Sequence, residues 1–244
     1  MVATDRGSHD GKLCRCRGPL LGRRGTIHLA LAGAAGMAAA TAPAPAHAAG
    51  GGTPSTPKAA LAALLDGNAR FAAKHGKLAA CGVDLAAARV ATVGGQAPFA
   101  AILGCADSRV PPELVFDQTI GDIFVARVAG NVVGADVIAS LEYGAAVLGT
   151  KTILVLAHSS CGAVQATIEG KPVPGQISTL YRSIQPAVDK AGRNLAAVAK
   201  ANALIQAALL RDASPVLGEM ARQGKLGIEA GYYDLKTGVV TLLS

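Results

Sequence analysis

Two short stretches of the chain carry the residue types that do chemistry, and both directly follow apolar runs. One reads Cys105-Ala106-Asp107-Ser108-Arg109 and the other His158-Ser159-Ser160-Cys161-Gly162. Two thiolates and one imidazole are donors that zinc prefers in a tetrahedral shell. Three protein ligands leave a fourth position open, the mark of a catalytic zinc, and zinc brings the pKa of a water there to ~7. Asp107 decides between two outcomes. As a permanent fourth ligand it closes the shell and makes the zinc structural. Held instead by the guanidinium fork of Arg109, it is turned from the metal and accepts a hydrogen bond from the hydroxide, orienting its lone pair. A dithiol redox pair fits less well, because there is no Cys-x-x-Cys, only Cys-x-Cys at Cys14 and Cys16. Cys81 reads as a bystander thiol. Taken singly, a cysteine is more often a buried structural thiol and a histidine a satisfied core residue. The reading rests on both segments occurring together.

Cys105 and His158 are 53 residues apart in the chain, so the elements between must bring them together. Apolar runs at residues 99–103, 123–128 and 152–157 read as buried strands, each followed by small or polar residues and then a helical pattern. Helices are expected over 58–75, 85–93, 135–148 and 194–211, with further ones starting at 161 and including 219–222. Residues 170–175, with Pro172 and Pro174, read as a loop. Runs at 226–233 and 239–243 flank Asp234-Leu235-Lys236-Thr237-Gly238 and suit a hairpin. Strands alternating with helices predict an α/β fold, a mostly parallel central sheet flanked by helices, with an antiparallel strand at one edge. Such sheets place their sites at the carboxyl ends of strands, which is where both segments fall.

Composition agrees with a densely packed interior. Of 244 residues, 51% are hydrophobic but only 3% aromatic, with no Trp, so the core is built from Ala, Val, Leu and Ile. The formal charge of +7 is concentrated at the start: residues 1–48 hold six Lys and Arg against two acids. The rest lacks the basic patch interleaved with aromatics that nucleic-acid binding requires. In that first stretch Arg23-Arg24 precedes a mild apolar run from Ile27 to about Ala42, then Pro43, Pro45 and Ala46-His47-Ala48. This reads as a cleavable export signal over residues 1–48, of the twin-arginine type, delivering the protein to the periplasm. The apolar run is shorter than the ~20 residues needed to span a bilayer, and no membrane span is expected in the mature chain. Residues 49–57 read as a linker and 58–244 as the catalytic domain.

At these residues the chain resembles the β-class carbonic anhydrases. The likeness rests on both ligand segments and on Gly67-Asn68-Ala69-Arg70-Phe71, Gly121-Asp122-Ile123-Phe124-Val125 and Glu142-Tyr143-Gly144, and runs from about Lys58 to the end. The resemblance implies four parallel strands plus an antiparallel edge strand, a homodimer or homotetramer, and reversible hydration of carbon dioxide to bicarbonate. It implies one Zn2+ per chain on Cys105, His158 and Cys161, with Asp107 and Arg109 as a catalytic dyad. It further implies that Gln96 hydrogen-bonds substrate and that Phe124 and Tyr143 line an apolar pocket, partly across a dimer interface. There are departures. Arg127-Val128-Ala129-Gly130-Asn131 differs from the common Arg-Asn-x-Ala-Asn form. Ile102 stands where members with a regulatory bicarbonate site carry Trp, so no such site is expected. The competing functions are a carbon disulfide or carbonyl sulfide hydrolase on the same scaffold and a non-catalytic zinc-binding protein.

Overall fold

The strands closest to the two ligand segments are buried at every position, as unbroken apolar runs in a covered sheet must be. These are β1 (Ala100–Gly104) and β3 (Thr152–His158). They belong to a computed structural model that describes residues 53–78 and 83–244. The expected export signal and Cys81 lie outside the described residues. Three further strands, β2 (Ile123–Arg127), β4 (Gly227–Tyr233) and β5 (Val240–Leu243), complete a sheet of order β2-β1-β3-β4-β5. The first three pairings are parallel and β4 with β5 is antiparallel, which is the expected architecture.

Successive residues of a strand point to opposite faces, and β1 and β3 feed two separate cores accordingly. Ala101, Leu103, Ile153 and Val155 pack on one face with Ile184, Val198, Ala203, Ala207 and Leu210. Ala100, Ile102, Leu154 and Leu156 pack on the other with Ala60, Leu64, Val115 and Phe116. The helices are α1 (Pro57–Ala72), α2 (Leu85–Ala91), α3 (Pro112–Val115), α4 (Ala135–Glu142), α5 (Gly162–Glu169), α6 (Ile177–Ala191), α7 (Leu195–Ala213) and α8 (Pro215–Arg222). Several are capped as their sequences require. Thr56, Asp84, Asn194 and Ser214 each accept hydrogen bonds from first-turn amides of α1, α2, α7 and α8. Among the described residues, no helix is long and apolar enough to cross a membrane.

Two elements were not foreseen. The short α3 starts at a Pro-Pro pair, and α6 occupies a stretch the sequence reading left unassigned. Pro186 lies inside α6 and removes one helical hydrogen bond. It sits on the exposed side of the helix. The inward face still carries Leu180, Ile184, Ala187, Val188 and Ala191, a helical repeat. The helix expected over 135–148 is also modified: α4 widens into a π-helical turn at Tyr143–Val147.

The Gly67-Asn68 pair has a structural reason. A Cβ on Gly67 would lie 1.8 Å from the Phe116 carbonyl oxygen, so only glycine lets α1 approach so closely. The buried Asn68 then donates to the carbonyls of Val115 at 3.0 Å and Gly238 at 2.8 Å and accepts from the Val240 amide at 2.8 Å. One side chain thus ties α1 to α3 and to the β4–β5 hairpin.

Candidate metal centre

Parallel pairing puts Gly104 of β1 opposite Leu156 of β3. Cys105 and His158 therefore leave the sheet side by side at its carboxyl edge. Beyond His158 the chain must reverse at once to bring Cys161 back. Ser160 does this with φ of 55°, a left-handed conformation uncommon outside glycine. Cys161 then stands at the start of α5, where the helix N-terminus favours a thiolate. The ligating atoms of Cys105, His158 and Cys161 all lie within 4.8 Å of one another, and all three residues are buried.

The donor set can be tested against a metal from its hydrogen bonds. His158 Nδ1 is 2.9 Å from the Ser159 carbonyl. A carbonyl only accepts, so Nδ1 carries the proton and Nε2 presents its lone pair. That Nε2 is buried and has no hydrogen-bond partner. An orphaned buried nitrogen beside two sulfurs is costly unless something electrophilic sits between them. The sulfurs point to the same conclusion. Sharing a proton with Cys161 holds the Cys105 thiol well below its ordinary value, against the opposing effect of burial, with smaller help from the Gly130 amide. The same sharing, then burial and the charge on Cys105, pushes Cys161 up. A divalent cation bound there would replace the shared proton and allow both to ionise. Two thiolates and a neutral imidazole at this spacing fit zinc.

Asp107 and Arg109 meet as a bidentate pair. Arg109 donates from Nε to Oδ1 at 2.9 Å and from Nη2 to Oδ2 at 2.7 Å, and its own amide donates to Oδ1 at 2.9 Å. These bonds hold the Asp107 carboxyl well below the usual carboxylate range. Arg109 Nη2 also donates to the Ser160 carbonyl at 3.1 Å, so one guanidinium joins both ligand segments. Asp107 Oδ2 is 4.0 Å from His158 Nε2, beside the triad, with both oxygens engaged by Arg109.

Two positioning residues were missed. Arg127, at the end of β2, donates to the Cys105 carbonyl at 2.9 Å and the Asp107 carbonyl at 2.6 Å. Gly130 donates its amide to Cys105 Sγ at 3.3 Å. Both lie in the segment that departs from the common family form, and an arginine ending a strand followed by a glycine turn was the available signal. The single chain does not gather Gln96, Phe124 and Tyr143 at the triad. Gln96 is exposed before the amino end of β1, whereas Cys105 follows its carboxyl end. Phe124 pairs with Ala101, four positions before Cys105 and about 13 Å along the sheet. Its ring lies 6.4 Å from that of Tyr143, which is half exposed.

The carbonic anhydrase family model matches residues 100–240, a span holding β1 to β4 and both ligand segments. The chain belongs to the β-class carbonic anhydrase family. It is 41% identical over 138 residues to a carbonic anhydrase of Mycolicibacterium smegmatis, covering 55% of this chain and 66% of that one. The match thus spans just under two thirds of that relative's length. A Coccomyxa β-carbonic anhydrase solved with acetazolamide is 29% identical with a TM-score of 0.58, covering 75% of this chain and 86% of that one. A structure from work on two tetrameric β-carbonic anhydrases of Sordaria macrospora is 25% identical with a TM-score of 0.57, covering 62% and 83%.

Proposed function

We propose that this chain catalyses the reversible hydration of carbon dioxide to bicarbonate and a proton. The observation that carries the proposal is an ionised Asp107 gripped by Arg109 beside the ligand triad. Cys105, His158 and Cys161 would hold a zinc ion, which when bound would supply Lewis acidity and lower the pKa of water to near neutrality. An ionised carboxylate only accepts hydrogen bonds. Asp107, held by Arg109, would accept a hydrogen bond from the attacking oxygen and so leave that oxygen's lone pair aimed at the carbon. Asp107 is too acidic to store the released proton, which leaves to solvent past the exposed Arg109. His75, the other histidine among the described residues, is exposed beyond the end of α1 and serves no relay.

The active unit in this reading is a homodimer or homotetramer in which a second copy brings Gln96, Phe124 and Tyr143 to the substrate. What supports it is the open edge of the sheet. β2 is paired on one side only; its Phe124 is only partly buried and lies against the half-exposed Tyr143, and Val147, four residues further on, is exposed. Export to the periplasm through the segment around Arg23-Arg24 is part of the same proposal, on its sequence pattern. Loss of periplasmic protein on replacing both arginines by lysine checks it.

The deciding experiment is stopped-flow carbon dioxide hydration by purified protein of measured zinc content. Hydration with about one zinc per chain, blocked by acetazolamide, is the expected result. Zinc without hydration, but with sulfide release from carbonyl sulfide or carbon disulfide, would replace this proposal with the hydrolase. Zinc with neither activity would leave a structural site.

A further inference from the structure

Behind the metal centre lies a buried polar chain that the reaction outlined above does not use. It starts at the Gly130 amide, which donates to Cys105 Sγ at 3.3 Å. On the other side of the same Cα, the Gly130 carbonyl accepts from Asn202 Nδ2 at 2.8 Å. Asn202 Oδ1 accepts from Gln206 Nε2 at 3.1 Å. Gln206 Oε1 accepts from the Val133 amide at 2.8 Å, and its Nε2 also donates to the Ser183 carbonyl of α6 at 3.1 Å. Asn202 and Gln206 are 0% and 1% exposed, one turn apart on α7 among alanines and leucines.

Buried amides are costly unless their hydrogen bonds are met, and an Ala/Leu helix packs more simply with leucine at both positions. These two instead clamp residues 130 and 133, the ends of the turn that carries the Gly130 amide. The clamp has something to hold. Gly130 has φ of 73°, and a Cβ there would lie 2.8 Å from Ile184 Cδ1 and 3.3 Å from Ala163 Cβ. The turn is therefore wedged between α5 and α6 in a conformation open chiefly to glycine.

We infer that Asn202 and Gln206 are positioning residues for the metal centre: they hold the Gly130 N–H on the Cys105 sulfur and so set the strength of that thiolate as a ligand. A hydrogen bond to a ligating sulfur draws charge from it, fixes its position and resists its protonation, so its loss leaves a more electron-rich sulfur that is less firmly held and more readily protonated off the metal; groups that orient ligands change metal affinity and activity about 10–100-fold when lost. The inference rests on the metal reading above and deepens it.

The test uses zinc-loaded and cobalt(II)-loaded full-length protein with two readouts besides activity. These are the rate of zinc loss to a chelator and the energy of the thiolate-to-cobalt charge-transfer band. Asn202→Leu and Gln206→Leu are expected to speed zinc loss about 10–100-fold and to move the band to lower energy. Gln206→Glu is expected to fall between the parent and Gln206→Leu, since a buried protonated carboxyl still accepts from the Val133 amide but can make only one of the two donations to Asn202 and Ser183. Leu210→Ala, a buried packing change on the same helix, is expected to lower thermal stability and leave both readouts in place. If Asn202→Leu does not fold, Gln206→Leu decides by the same readouts. Folded variants with unchanged zinc loss and an unmoved band would overturn the inference, as would an equal shift in Leu210→Ala. A parent protein that binds neither metal would overturn the metal reading with it.

Discussion

Arg109→Ala separates two roles that the Asp107–Arg109 pair can play. Arginine makes three hydrogen bonds to Asp107 and one to the Ser160 carbonyl. Alanine keeps only the bond from its own amide to Oδ1. The carboxylate then turns about that single contact, and Oδ2, now 4.0 Å from His158 Nε2, is free to move toward the ligand set. A displacement of ~1 Å in an aligned reacting group costs on the order of 100-fold in rate, and that is the expected loss in kcat, with zinc retained. The pH profile tells why activity is lost. Asp107 is held low chiefly by its hydrogen bonds from the Arg109 side chain. Without them its pKa rises toward the ordinary carboxylate value of about 4, still far below neutrality. The variant therefore stays ionised at Asp107 above about pH 5, and the loss should be constant from there into the alkaline range. Stopped-flow hydration across pH 6 to 9 measures it. A loss under about threefold, against the ~100-fold of a misaligned group, would refute the positional role. So would a loss that vanishes as pH rises, because Arg109 would then act only by keeping Asp107 charged.

Three further outcomes follow from the same contacts. Cys161→Ser replaces a thiolate with a hydroxyl that stays protonated near neutrality, so zinc should be lost on dialysis against a weak chelator and hydration should fall to background, read by metal analysis and stopped flow. Asn68→Leu removes three buried hydrogen bonds, each worth about 1 kcal/mol net with more for the orphaned backbone groups, so urea unfolding should show a loss of about 3–5 kcal/mol. Burial raises the Asp117 carboxyl, but the Arg70 side chain and the amides of Lys77 and Leu78 outweigh it and leave it lowered. A lowered carboxylate stabilises the fold above its unfolded pKa and stops doing so as pH falls through the folded value. Asp117→Asn should therefore cost about 1 kcal/mol at pH 7, discounted because Arg70 is 33% exposed. The gap to the parent in thermal melts should close below about pH 4.

The reading of the fold succeeded where burial dictates composition. β1 and β3 are covered on both faces, so they had to be apolar without interruption, and their boundaries fall within a residue of the expected ones. It failed at α6, where a proline that normally ends a helix stands on the exposed side and costs little. Composition over Ile177–Ala191 is mixed, and the inward repeat shows only once the register is known.

The metal centre was legible for a different reason from its supports. Ligands must be of particular types, and Cys105, His158 and Cys161 announce themselves by type at strand ends, with the charged Asp107 and Arg109 beside them. Supports act through backbone amides and carbonyls, which every residue has. Gly130 bonds Cys105 with an amide, and Arg127 bonds the carbonyls of Cys105 and Asp107. Nothing in the side chain at 130 names that bond, and only the need for φ of 73° in a crowded turn limits the position to glycine. Gln96, Phe124 and Tyr143 stand apart again. Residue types single them out, but one chain holds Gln96 and Cys105 off opposite ends of β1. A strand cannot bring its two ends together, so a glutamine there reaches a metal centre only when another copy of the chain presents it.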